Sequence, residues 1–158
     1  MNRKNTLLII TALVLLINNY LLPQAKIVVK ERVTITVDKA VVRTDVPPIS
    51  INGRTLVPVR SVFEAFNAEI GWFPRERRVF IRKDKQVIWL HIGDAHAKVD
   101  GQILTLDVPV VIYRGRAMVP LRFLAETLGA VVTWDSKTQT ITIVTPERTS
   151  SPTDKQSN

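Results

Sequence analysis

The stretch RTLVPVRSVFEAFNAEIGW, residues 54–72, returns as RAMVPLRFLAETLGAVVTW at residues 116–134, displaced by 62 positions without a gap. The register runs from Val37 opposite Val99 to Ile81 opposite Ile143, and fourteen of those 45 paired positions keep their residue type. The retained set includes Asp45, Pro47, Gly53, Arg54, Pro58, Arg60, Glu64 and Trp72, with Asp107, Pro109, Gly115, Arg116, Pro120, Arg122, Glu126 and Trp134 as counterparts. Identity at one fixed offset marks an internal repeat, so the chain is expected to contain two copies of one small unit.

Each copy reads the same way. Alternating apolar segments turn at Asp38-Lys39 and Asp100-Gly101, the second an Asp-Gly hairpin signal. Further short strands turn at Asn52-Gly53 and Arg114-Gly115, where glycine reaches positive φ without steric penalty. The period then changes from two to that of a helix. Pro58 and Pro120 suit the first helical position, where a missing N–H is no loss. Val59, Val62, Phe63 and Phe66 make one apolar stripe, and Leu121, Leu124, Ala125 and Leu128 make the other. Asn67 and Gly129 follow as residues that tolerate a left-handed C-cap. Hairpins at 68–81 and 130–143 close each copy. A helix of about nine residues is too short to persist alone and must lie on a sheet. The expected fold class is therefore α+β: two similar repeats, each an antiparallel sheet curled round one short helix. Repeat one spans 33–82, a connecting strand 86–92, and repeat two 97–144.

The ends carry a different message. Arg3 and Lys4 precede the apolar run Leu7–Ile17, the order of a signal-peptide n-region and h-region. Residues 1–25 are expected to be a signal peptide or an N-terminal membrane anchor. The run through Leu22 is shorter than the ~20 residues that usually span a bilayer, which favours cleavage over anchoring. Either way, the chain beyond residue 25 is expected outside the cytoplasm. Residues 145–158 are polar and rich in Ser, Thr and Pro, the composition of a disordered tail.

The segments DVPPISINGRTLVPVRSVFEAFNAEIGW and DVPVVIYRGRAMVPLRFLAETLGAVVTWDSKTQTITI strongly resemble the copper amine oxidase N-terminal-like domain, or stalk domain. The resemblance covers about Val33–Val144. It implies a sheet curled round a helix, repeated on exported or wall-associated proteins of Gram-positive-type bacteria, and no settled activity. The first copy departs from the pattern where GWFPRERRVFIRK replaces the usual Trp-Asp turn and Asn67 replaces glycine. An amine oxidase needs a quinone-forming tyrosine and three histidine ligands to copper. This chain has two histidines, two tyrosines and no cysteine, and no catalytic domain is expected beside the repeats. No enzyme activity and no cofactor are expected.

Other constellations read as structural. His91, Asp94 and His96 sit at a strand and its turn, where ordinary surface histidines are expected and a metal site is not. Glu64 and Glu126 each follow Arg60 or Arg122 by four residues, the spacing of a helical ion pair rather than of an acid–base couple. Trp72 and Trp134 follow each helix, a place that favours packing of the indole beneath it over stacking on a sugar. No phosphate-binding glycine loop or nucleophile elbow is present.

The copies differ in charge. Residues 26–98 hold fourteen Lys and Arg against eight Asp and Glu, whereas residues 99–144 hold four of each. Much of the excess lies in RERRVFIRKDK, residues 75–85. With period two, Val79 and Ile81 face the core and send Arg78, Phe80 and Arg82 outward together. Arg75, Arg77, Lys83 and Lys85 flank this ridge, which either protects a solvated edge or contacts an anionic wall polymer or lipid headgroups. The chain is thus read as a non-catalytic extracytoplasmic element of the cell envelope, structural or adhesive. The alternative is an accessory subunit that docks another exported protein through exposed strand edges. Nucleic acid is not an expected partner, and membrane contact is expected only through the N-terminal segment.

Overall fold

The computed structural model describes residues 26–30 and 32–145. The expected export segment 1–25 lies outside them, as does the expected tail beyond Thr145. Thr145 itself is tied down, donating its N–H and hydroxyl to the Asp38 carboxylate at 2.8 and 2.7 Å.

The first half runs β1 (Ile27–Val29), β2 (Thr34–Val37), β3 (Ala40–Val42), β4 (Ile49–Ile51), β5 (Arg54–Pro58), α1 (Val59–Ala65), β6 (Glu69–Phe73) and β7 (Arg78–Lys83). After β8 (Gln86–His91), the second half runs β9 (His96–Val99), β10 (Gln102–Thr105), β11 (Val111–Tyr113), β12 (Arg116–Pro120), α2 (Leu121–Leu128), β13 (Val131–Asp135) and β14 (Thr140–Val144). Local chemistry sets these boundaries. Asn52-Gly53 and Arg114-Gly115 have positive φ at both residues, as do Asp38-Lys39 and Asp100-Gly101, the backbone of the tightest hairpins. Pro58 and Pro120 are the last strand residues and the N-caps of the helices, one position earlier than expected. Asn67 at φ 56° and Gly129 at φ 61° end the helices in the left-handed conformation.

The expected α+β class does not hold. The chain is mostly strand, with two short helices among the described residues, and its strands form three sheets rather than one per repeat. Sheet A has the order β1-β4-β5-β12-β11, sheet B β13-β14-β2-β3, and sheet C β10-β9-β8-β7-β6. Each draws strands from both halves. The last hairpin of the second half joins the first hairpin of the first through a parallel pair, Ile141 beside Ile35. The last hairpin of the first half joins the first of the second through β8, which lies antiparallel to both β7 and β9. A single copy offers too few strands to cover both faces of its own helix, so apolar faces are buried by exchange between the halves.

The exchange is centred on sheet A, where Val57 pairs with Val119, its own counterpart 62 positions on. Both are fully buried. Helix α1 lies mainly against β12 and β6, with further contacts to β5 and β3, and α2 lies against β5, β12 and β13. Beneath them one cluster joins Ile35, Val57, Phe63, Ile81, Leu90, Val119, Leu124 and Ile143 from all three sheets and both helices. In α2 the buried residues are Phe123 and Leu124, and Ala125 is only half-buried. The other face of sheet A carries a second cluster of Ile49, Ile51, Leu56 and Met118, closed by Val46 and Val108.

Candidate functional site

Two kinds of surface stand out, and strand alternation builds the first. Val79 and Ile81 are buried as expected, which turns Arg78, Phe80 and Arg82 to the outer face of sheet C. Cross-strand register sets Gly71 and Trp89 on either side of Phe80, and Lys98 beyond Trp89. Phe73 stands opposite Arg78. The rings of Phe80 and Phe73 lie 4.9 and 5.5 Å from that of Trp89, both tilted, the offset geometry aromatic quadrupoles prefer. A Cβ at Gly71 would stand in ordinary contact with the Phe73 ring at 3.4 Å and with Phe80 at 3.6 Å. The Arg78 guanidinium sits 5.2 Å over the Trp89 ring, a cation–π contact. Arg82 is paired with Glu69. The result is an aromatic patch of Phe73, Phe80 and Trp89 edged by Arg78, Arg82 and Lys98.

Not every basic residue of the segment joins it. Arg75 and Arg77 lie in the β6–β7 turn at one end. Lys83 has the same parity as Val79 and Ile81, so it projects from the opposite face beside Asp84, at 3.5 Å. Lys85 lies in the β7–β8 turn. Phe73, Trp89 and Lys98 belong to the patch although the charge pattern alone did not point to them. Trp89 was within reach, since it alternates with Ile88 and Leu90.

The second kind of surface is a pair of grooves related by the same 62-position displacement. One, of about 370 Å³, is lined by Val59, Arg60, Ile70, Trp72, Ile112 and Ala117, among others. The other, of about 400 Å³, is lined by the corresponding Leu121, Arg122, Val132 and Thr55, together with Asp107. Each joins the helix start of one half to the glycine turn of the other. Ion pairs cross between the halves in the same way, Asp45 with Arg116 and Asp107 with Arg54 at 2.9 Å. This is what the Asp and Gly-Arg positions of each copy do. The pairs are not fully equivalent. Asp107 also takes Arg122 at 3.3 Å, while Arg60 stays 4.0 Å from Glu64. The expected Arg122–Glu126 pair gives way to this bridge.

Trp72 and Trp134 correct another expectation. They are 43% and 45% exposed, not tucked beneath the helices. Each shares strand parity with core residues but stands on the outermost strand of its sheet, where the apolar face runs out into solvent. Lys30 lies 5.2 Å over the Trp134 ring.

Ionisable groups show no catalytic pattern. The Arg116 side chain holds the Asp45 carboxyl below its ordinary range, the His96 ring does the same for Asp94, and the Lys137 backbone N–H for Asp135. His96 Nδ1 is 2.8 Å from Asp94 Oδ1. No group of three or more His, Cys, Asp or Glu converges among the described residues. Two histidines and one nearby carboxylate do not fit a copper centre.

Fold and surfaces together define a strand-rich module of three sheets, each shared between the two halves. The chain belongs to the copper amine oxidase N-terminal domain family, whose sequence profile matches residues 36–143 in a single span across both halves. That domain is the non-catalytic part of the amine oxidases. No curated protein matches the chain.

Proposed function

We propose that this chain is a stalk-type module of two tandem copies acting outside the cytoplasm, a structural or adhesive element of the bacterial cell envelope that contacts anionic wall polymer through the outer face of sheet C. The observation that carries the reading is the patch in which Phe73, Phe80 and Trp89 are flanked by Arg78, Arg82 and Lys98. Aromatic faces suit the apolar faces of sugars, and the cations suit phosphate or carboxylate groups along the same polymer. Such contact is largely electrostatic, because the charged side chains are exposed.

The test is co-sedimentation with teichoic-acid-bearing walls at low and high salt. The native chain should be retained at low salt and released as the Debye length falls below ~10 Å. Arg78→Ser/Arg82→Ser should weaken retention by about fivefold, the sum of two exposed charge contacts. Retention indifferent to both salt and the double substitution would refute the reading.

A further inference from the structure

Sheet A ends differently on its two sides. On one side β1 covers β4, with Ile27 opposite Ile51, Val28 opposite Ser50 and Val29 opposite Ile49. On the other side β11, which corresponds to β4 at a displacement of 62, pairs with β12 and with no other strand among the described residues. The sequence position corresponding to β1 is 89–91, and those residues belong to β8, which is spent between β7 and β9 in sheet C. The segment that would have covered β11 is thus used elsewhere.

The uncovered edge is open and apolar. Lys30 donates to the Pro48 carbonyl at 2.9 Å, so by antiparallel alternation it is Ser50 that exchanges bonds with β1. Its counterpart Ile112 therefore directs its N–H and C=O outward, away from β12. Ile112 is 47% exposed. The edge is three residues long and has neither a charge within β11 nor a bulge, two of the usual protections of a free strand. At its start it is bounded, since Gly93 already donates to the Val110 carbonyl at 2.7 Å. The Ile112 side chain lines the groove that holds Trp72 and Arg60, while Val111 and Tyr113 pack on the second core cluster.

We propose that this edge accepts an extended segment of a partner protein, three apolar residues preceded by an acidic one, as a sixth strand antiparallel to β11. The middle residue would cover Ile112 and the groove, and its neighbours would extend the second cluster, as Val29 does beside β4. Charge chooses between occupants. The residue before the apolar three falls opposite Arg114, which stacks 5.3 Å from the Tyr113 ring. In β1 that residue is Lys26, opposite Asn52. A second copy offering its own β1 would set Lys26 against Arg114. An acidic residue is attracted instead. Main-chain pairing at a free edge supplies affinity, and the alternate side chains supply selectivity. This contact is independent of the wall-polymer reading, since it uses none of the sheet C residues.

The experiment titrates the full chain with two hexapeptides, acetyl-Ser-Glu-Ile-Val-Val-Ser-amide and its Lys-for-Glu counterpart, followed by amide and indole NMR shifts. The Glu peptide should shift Ile112, Tyr113 and the Trp72 indole, and bind a few-fold more tightly than the Lys peptide. Ile112→Pro removes the outward N–H, a change an edge strand tolerates, together with the Ile112 side chain. It should weaken binding by about tenfold, the loss of one ladder hydrogen bond, with the β12 shifts showing that the sheet persists. Ile112→Lys keeps that N–H, covers the edge with charge and should also weaken binding. The proposal fails if neither peptide shifts β11, if the Lys peptide binds as well as the Glu peptide, or if the chain alone dimerises through this edge.

Discussion

At the scale of single residues, several of the repeated positions serve the joint between the halves. Asp45 and Arg116, like Asp107 and Arg54, are partners across it, not within a copy. These pairs are exposed, so each adds little to stability. Asp38 is another joining residue, because its carboxylate receives both donors of Thr145 at the end of β14. The Thr145 N–H and then its hydroxyl hold the Asp38 carboxyl below its ordinary 3.8, with Lys83 a smaller contribution. A depressed carboxylate stabilises the fold above its unfolded value and loses that effect as pH falls through the folded one. Asp38→Asn tolerates the same left-handed turn but carries no charge. It should cost about 0.5 kcal/mol at pH 7 after allowance for solvent screening, and nothing once the pH is well below the lowered folded value. Urea unfolding of both proteins at the two pH values checks it, and a difference that persists in acid would assign the cost to the turn.

At the scale of elements, the legible features are those that local chemistry decides. The hairpin turns, the helices at Val59–Ala65 and Leu121–Leu128, and the alternation of β7 were readable because positive φ, helix ends and side-chain parity are written within a few residues. Strand partners are not written locally, so nothing near β2 announced β14 as its neighbour. The same blindness misplaced the tryptophans: parity put Trp72 on the apolar side, but only the sheet order shows β6 to be an edge. In the candidate patch, Arg78, Phe80 and Arg82 were legible along one strand. Phe73, Trp89 and Lys98 join them across strands. The helix ends offer a test at this scale. Asn67 holds φ 56° where its counterpart is glycine, and an L-residue pays strain there that glycine avoids. Asn67→Gly should stabilise the protein by roughly 0.5 kcal/mol, while Gly129→Ala should destabilise it by about 1 kcal/mol. Thermal unfolding of the two variants, moving in opposite directions, is the expected result.

At the scale of the whole molecule, the halves are alike in sequence but neither completes a sheet of its own. Residues 33–82 contain β2 and β3, whose other neighbour is β14, and β6 and β7, whose other neighbour is β8. Removed from the rest, they would leave a two-strand edge of β4 and β5, two unjoined hairpins, and a helix stripped of its packing on β12. Isolated hairpins are marginal in water, and a seven-residue helix has no independent stability. Ile81 and Phe63, fully buried in the intact chain, would be uncovered. The fragment 33–82 should therefore show no cooperative unfolding transition, and its amides should exchange as in an unfolded chain. Mixing it with a fragment beginning at residue 86 should restore structure, because β8 to β14 supply the missing neighbours of both hairpins. A steep transition in the isolated fragment would mean that the strands can pair within one copy, and that the exchange seen in all three sheets is not what stabilises the fold.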